Sequence, residues 1–242
     1  MAEARGMRVL GVLYIAALLA WPLHGAHAAD PCADGELKPV TISSDDTLQL
    51  KWIGTVTARM AKKIDAAFDN NRRRVKSVEL SIQSCGGRTD YMADTIAVLA
   101  EIKKTHKLST VVEPGSTCAS ACIPIFLASD NRRAALSSLW FFHRSWRYQL
   151  SGGVDSITTS VPGTRSVERF MDRYYAPAGL SAKWLAQLKD IIENNGGYWQ
   201  TGRDLWDGKT GVITEIIGDI QPPENRSIYL APAPGCTAMC RG

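Results

Sequence analysis

The sequence is short of several things, and each shortage excludes a class of protein. Charged residues make up only 21% of the 242 residues and hydrophobic ones 45%, which rules out an intrinsically disordered chain. The 20 glycines follow no triplet period, so a collagen-like rod is excluded as well. Histidine is scarce, at four residues, and no pair of Cys-x-x-Cys knuckles accompanies them, so no zinc site is expected. No apolar run reaches the roughly 20 residues that cross a bilayer. No Walker phosphate loop and no internal repeat occur. A formal net charge of +4 is too mild to argue for nucleic acid. The cluster Arg72-Arg73-Arg74 reads as a solvated helix end. What remains is a chain long enough to bury a full core as one large domain.

The N-terminus reads as a cleavable export signal over residues 1–28. Arg5 and Arg8 form a basic start, Val9 to Trp21 is an unbroken apolar run of 13 residues, and Ala26-His27-Ala28 supplies a small-x-small cleavage site. That run is too short to span comfortably, so a cleaved signal is expected over an uncleaved membrane anchor, with contact with the membrane only through the signal. Its removal takes away Arg5, Arg8 and Glu3, lowers the net charge to +3, and leaves His106 and His143 as the only imidazoles. All six cysteines survive: Cys32, Cys85, Cys118, Cys122, Cys236 and Cys240. An even count in an exported chain points to disulfides and to a periplasmic or secreted location. A bond from Cys32 to Cys236 or Cys240 would tie the chain ends together, and Cys118 lies one helical turn from Cys122.

Strand-like and helix-like segments then alternate. Val40–Ser43, Leu48–Ile53, Val78–Ile82, Leu108–Val112, Leu139–Phe142 and Val212–Ile216 have the composition of strands. Val56–Asp69, Asp90–Lys104, Arg165–Tyr175 and Ser181–Asn194 carry apolar residues at helical spacing, and Ala119–Ser129 reads as a buried helix. Strands separated by such helices predict βαβ units and a mainly parallel sheet flanked by helices. Ser151–Thr164, rich in Gly, Ser and Thr, reads as an exposed loop or hairpin, and residues 221–242 as a Pro-rich tail behind a domain over 29–220. The tryptophans at 140, 146, 184, 199 and 206 are spread out, as core or oligomer contacts would be.

Three features fall where strands hand over to helices, where α/β folds gather their sites. Ser84-Cys85-Gly86-Gly87 follows a strand, and its glycines allow a sharp turn with amides free to face a ligand oxygen. Cys118-Ala119-Ser120-Ala121-Cys122 places a serine among small residues at a helix start, with the Ala121 amide beside it. His143 ends a strand 23 residues later. A hydroxyl is a poor nucleophile until a base takes its proton, so a serine acting covalently needs such an imidazole within reach. His106 sits among Lys103, Lys104 and Lys107 and reads as part of a solvated helix end.

The run from Val78 to Gly87, the Cys118–Cys122 box, the apolar helix after it, Arg132-Arg133 and Phe141-Phe142-His143 together resemble the proteolytic subunit of the Clp protease. They are more similar still to its exported relatives in the ClpP/crotonase superfamily, over roughly Leu48 to Ile217. The resemblance implies a fold of repeated ββα units. It implies Ser120 as nucleophile, His143 as general base, the amides of Gly87 and Ala121 as oxyanion hole, and no cofactor. It also implies a peptide or unfolded-protein substrate bound by strand addition along Ser81–Ser84 and the Ser151–Thr164 region, and assembly into homo-oligomers.

Two departures stand out: Cys85 replaces the proline usual in the Clp subunit, and no Asp stands before Tyr198-Trp199-Gln200-Thr201, where the family has its histidine-orienting acid. Asn195, Glu193 or Asp190 would have to serve, or the site is a Ser-His dyad. Without ATP outside the cytoplasm the expected activity is that of a peptidase independent of an ATPase partner. Enolate chemistry on coenzyme-A esters, as in crotonases, is disfavoured by export. A non-catalytic binding or assembly module that has lost its acid is the alternative.

Overall fold

A computed structural model describes residues 30–143 and 164–218. The signal segment, residues 144–163 with most of the Gly/Ser/Thr-rich loop and Trp146, and the tail with Cys236 and Cys240 lie outside the described residues.

The chain opens with two short strands, β1 (Glu36–Leu37) and β2 (Thr41–Ile42), both antiparallel to β3 (Thr47–Ile53). In β3 alternate residues Leu48, Leu50 and Trp52 turn inward, the period of two that a sheet with one covered face requires. Helix α1 (Ala58–Asn71) covers them with Met60, Ile64, Ala67 and Phe68. Next come β4 (Ser77–Gln83), α2 (Thr89–Lys103), β5 (Lys107–Val112), β6 (Thr117–Ala119), α3 (Cys122–Leu127), β7 (Asn131–Ala134) and β8 (Leu139–His143). Beyond residue 163 lie α4 (Thr164–Tyr174), a 3-10 turn at Ala176–Ala178, α5 (Ala182–Asn195), β9 (Gly197–Thr201), α6 (Gly202–Asp207) and β10 (Glu215–Ile216).

Among the described residues the strands form two sheets. The larger runs β1-β3-β4-β5-β7-β10, parallel from β3 to β10, with β2 also on β3; the smaller runs β6-β8-β9. This is the mixed α/β architecture with a mainly parallel, helix-flanked sheet that the alternation predicts. The two sheets meet at Ser84, whose amide donates to Thr117 O (2.8 Å) and whose carbonyl accepts from the Ala119 amide (2.9 Å). Trp52, Phe126, Trp140 and Phe142 are fully buried, with Phe126 edge-on to Trp140 at 4.8 Å and Phe142 edge-on to Trp184 at 5.5 Å. Removing such rings from water contributes about 1.5–3 kcal/mol each.

The uncovered face of the large sheet is polar. Glu113 accepts from Lys51 and from Ser81 (2.7 Å) there, and Arg133 pairs with Glu79. Burial works against the charge of Glu113, but those hydrogen bonds and the Lys51 charge outweigh it and hold the carboxyl below the ordinary glutamate range.

Four expectations need correction. Ala119–Ser129 is not one helix: residues 117–119 are strand, and α3 starts at Cys122 because Ser120 takes φ +55°, which no helix accommodates. The strands β7 and β9 stand where none was expected, since neither shows a simple apolar alternation. Cys32 is bonded to Cys85 rather than to the tail: the Cys85 amide donates to Pro31 O (2.8 Å) and the Thr55 amide to Ala33 O (2.8 Å), drawing residues 31–33 against the end of β4. Ser81–Ser84 offers no free edge for a peptide, because β3, β5 and β6 already take its backbone on both sides. Cys118 is bonded to Cys122.

Candidate functional site

The site is assembled from the ends of β4, β6 and β8. Behind β4 the chain turns at Gly86, φ +102°, where the Ser84 hydroxyl accepts the Gly86 amide (3.1 Å) and the Gly86 carbonyl accepts the Val56 amide (2.7 Å). A Cβ at Gly86 would lie 2.5 Å from Ser120 Cβ, 2.8 Å from Ala119 O and 3.1 Å from the Ala121 nitrogen. The turn therefore presses its bare backbone onto the serine loop, an approach only glycine permits.

Behind β6, Ser120 adopts φ +55° and is half-buried in a run that is otherwise buried from Ser116 to Leu127. The left-handed residue reverses the chain between strand and helix, so the hydroxyl surfaces while its neighbours stay inside. Its amide donates to Phe141 O (2.9 Å) and its carbonyl accepts from the Ile123 amide (3.0 Å), which fixes the serine against β8. Among the described residues neither the Gly87 nor the Ala121 amide donates to a protein group. Two unsatisfied donors beside a surfacing hydroxyl are what an oxyanion needs.

His143 is the last residue of β8, half-buried, two residues beyond Phe141, whose carbonyl holds Ser120. Its ring stacks on Phe141 at 5.2 Å and 21°, and Phe141 stacks in turn on Trp199 at 4.6 Å and 27°. Phe141 brings the serine and the imidazole into one region, its carbonyl accepting the Ser120 amide and its ring stacking on that of His143.

Across β8 and β9 the residue facing His143 is Gly197, which has no side chain to offer. Of the three candidate orienting residues, Asp190 is exposed and accepts from Asn194 Nδ2 (2.9 Å). Asn195 is exposed at the end of α5, and Glu193 keeps one buried carboxylate oxygen without a hydrogen-bond partner. His106 lies elsewhere, its Nε2 3.0 Å from Arg72 O and its ring edge-on to Phe68 at 4.9 Å, a packing role at the end of α2. Among the described residues no three His, Cys, Asp or Glu side chains gather where they could hold a metal ion.

Sequence reasoning passes over Phe141 and leaves Trp199 as a generic contact. Phe141 is open to discovery, since residues two apart on a strand share a face. The part of Trp199 depends on β9 pairing with β8, which no local pattern announces.

No protein-family model matches the chain, and no curated protein matches it in sequence. Solved structures do. A mutant of ClpP1 from Listeria monocytogenes superposes with a TM-score of 0.53 at 17% identity, over 73% of this chain and 93% of that one. Two mutants of the 1510-N membrane-bound stomatin-specific protease each superpose with a TM-score of 0.51. The first is 18% identical over 71% of this chain and 78% of its own; the second, in complex with a substrate peptide, is 19% identical over 71% and 74%. Likeness at these identities establishes the fold, which is ClpP-like.

Proposed function

We propose that the chain is an exported ClpP-like serine hydrolase that cleaves peptide bonds without an ATPase partner. One observation carries this reading: Ser120 is turned outward by a left-handed backbone directly beneath a glycine turn, and among the described residues neither the Gly87 nor the Ala121 amide is committed to a protein acceptor. His143 takes the proton from the Ser120 hydroxyl as Oγ adds to the substrate carbonyl carbon, and the two amides hold the resulting oxyanion. Each such donor is worth about 10²–10³ in kcat. Collapse expels the amine, which receives the proton from His143, and water activated by the same imidazole releases the acyl group. Substrate binding brings Ser120 and His143 into hydrogen-bond contact.

The oxidised cysteine pairs support a periplasmic or secreted site of action, and among the described residues no helix is long and apolar enough to cross a membrane. Residues 1–28 are then the signal, 29–220 the catalytic domain, and 221–242 a tail. Substrates are peptides or unfolded segments, taken by a strand edge other than Ser81–Ser84, and the protein assembles with copies of itself.

A fluorophosphonate probe should label the oxidised wild-type protein at Ser120 and leave Ser120→Ala unlabelled at an unchanged melting temperature. The sequence carries no Asp before Tyr198-Trp199-Gln200-Thr201, which favours a second reading, a peptide-binding module that no longer cleaves. Absence of labelling on folded, oxidised protein that still binds unfolded peptide would establish that reading and overturn the first.

A further inference from the structure

A nucleophilic serine must keep its hydroxyl aimed at one point, yet Ser120 holds a backbone conformation that a side chain resists, φ +55°. Left free, such a residue relaxes to extended or right-handed backbone. Both ends of its loop are anchored on different elements. Cys118 lies in β6, paired with Trp140 of β8 on one side and with Ser84 on the other. Cys122 opens α3, which the Thr110 hydroxyl ties to β5 by donating to Phe126 O (2.8 Å). A disulfide joins the two cysteines across Ala119, Ser120 and Ala121, with Cα atoms 5.3 Å apart. Four residues of extended chain would set those atoms about 13 Å apart, at about 3.3 Å per residue. A disulfide bridges Cα atoms no more than about 7 Å apart. The bond is therefore compatible only with a sharp reversal between β6 and α3. Ala119 is strand and Ala121 is right-handed at φ −59°, ψ −18°, so the reversal falls on Ser120. The bare backbone of Gly86 closes the loop from the opposite side. Both cysteines are fully buried, so the bond is shielded from thiols once the chain has folded.

We infer that the Cys118–Cys122 disulfide is the positioning device for Ser120: it locks the left-handed serine and the Ala121 amide beside it, and the serine is armed only once these cysteines are oxidised. Cys118 and Cys122 are positioning residues that act through the backbone of Ser120. In the oxidation the two thiols lose two protons and two electrons and the sulfur–sulfur bond forms through a mixed disulfide. The oxidant, a glutathione or protein disulfide, leaves as two thiols. The reduced chain keeps the fold and loses the aim of the serine. The consequence for catalysis rests on the hydrolase reading; the lock on the backbone does not.

The test reads the Ser120 backbone directly, by its amide to alpha-proton coupling and its amide exchange, in the exported protein and in Cys118→Ala with Cys122→Ala. The oxidised protein should show a single left-handed Ser120 with a protected amide, as its bond to Phe141 O requires. The double variant should move toward extended backbone and exchange that amide about 10- to 100-fold faster, while amides of β3 and β4 keep their protection. Should the double variant fail to fold, wild type refolded from urea with dithiothreitol keeps every side chain and should show the same loss, reversed by oxidised glutathione. Cys32→Ala with Cys85→Ala keeps the Cys118–Cys122 bond and should retain the left-handed serine; its loss there would count against the lock. An unchanged Ser120 in the double variant or in the reduced protein would overturn the inference.

These readouts need no activity, so wild type that shows the redox-dependent backbone but takes no fluorophosphonate would overturn the hydrolase reading and keep the lock. On active protein, the double variant should lower probe labelling and kcat about 10- to 100-fold with KM within about threefold, as a misaimed nucleophile does. Arg132→Met removes a buried side chain bonded to Ser129, Gly211 and Val212 carbonyls, and should leave labelling within about threefold of wild type despite its lower stability. Equal slowing in both variants would reduce the disulfide to a stabilising staple and overturn its positioning role.

Discussion

At the scale of single residues the site depends on two backbone conformations that side chains resist. Gly86 at φ +102° and Ser120 at φ +55° face one another, and the serine, unlike the glycine, keeps a Cβ in the left-handed region. Such a conformation costs about 1–3 kcal/mol and persists only where its surroundings hold it. The Phe141 carbonyl and the buried start of α3 supply that hold. Gly86→Ala would add its own left-handed strain and drive a methyl to 2.5 Å from Ser120 Cβ. It should cost roughly 2–4 kcal/mol in urea unfolding and abolish probe labelling, because the oxyanion turn must retreat. Gly115, at φ +68° with nothing within 4 Å of the position a methyl would take, provides the control. Gly115→Ala should cost about 1–2 kcal/mol, the backbone strain alone, and leave labelling intact. Equal losses for the two would mean that Gly86 is only a turn.

At the scale of elements, two disulfides flank the site at very different chain separations, 4 residues for Cys118–Cys122 and 53 for Cys32–Cys85. Loop-closure entropy assigns about 2 kcal/mol to the first and about 4 kcal/mol to the second. Cys32→Ala with Cys85→Ala should therefore destabilise the protein more than Cys118→Ala with Cys122→Ala, measured by urea midpoints at equal m-values. The reverse order would show that packing of the fully buried Cys118 and Cys122 outweighs the chain constraint. Long periodic elements are legible in the sequence: α1, α2, α5, β3 and β4 show their apolar faces within their own residues. The strand at Asn131–Ala134 is not, because its inward residues are an arginine satisfied by carbonyls and a small alanine, and outward Arg133 pairs with Glu79. Nor is β9, whose Tyr-Trp-Gln-Thr has strand propensity but whose partner lies more than fifty residues away in β8. Pro124 lies in the first turn of α3, where its missing N–H costs no helical bond.

At the scale of the whole molecule, the candidate site is legible where local motifs end strands and illegible where distant segments must meet. The Gly86-Gly87 turn, Ser120 and His143 each announce themselves by neighbours in sequence. The Cys32–Cys85 bond and the Trp199–Phe141–His143 stack arise only from tertiary pairing. The closure of the large sheet is of the same kind and depends on Arg132. Its side chain is buried, and it donates to Val212 O (2.9 Å), Ser129 O (2.9 Å) and Gly211 O (2.7 Å). Its backbone amide donates to Thr214 Oγ1 (2.7 Å), while the Thr214 amide returns a bond to Arg132 O (2.8 Å). Burial pulls the guanidinium pKa down, but such a group stays charged, and three carbonyl dipoles compensate it. One side chain thereby fastens residues 211–214 to β7 and sets β10 at the sheet edge, remote in sequence from Ser120 and His143. Arg132→Met keeps most of the apolar stem and leaves three carbonyls without a donor, at a cost of roughly 2–4 kcal/mol. Arg132→Lys, with one compact ammonium in place of a planar fork, should fall between it and wild type. Hydrogen exchange should then accelerate over residues 210–216 in Arg132→Met while amides of β3 and β4 keep their protection, and a uniform rise across the sheet would overturn this clamp.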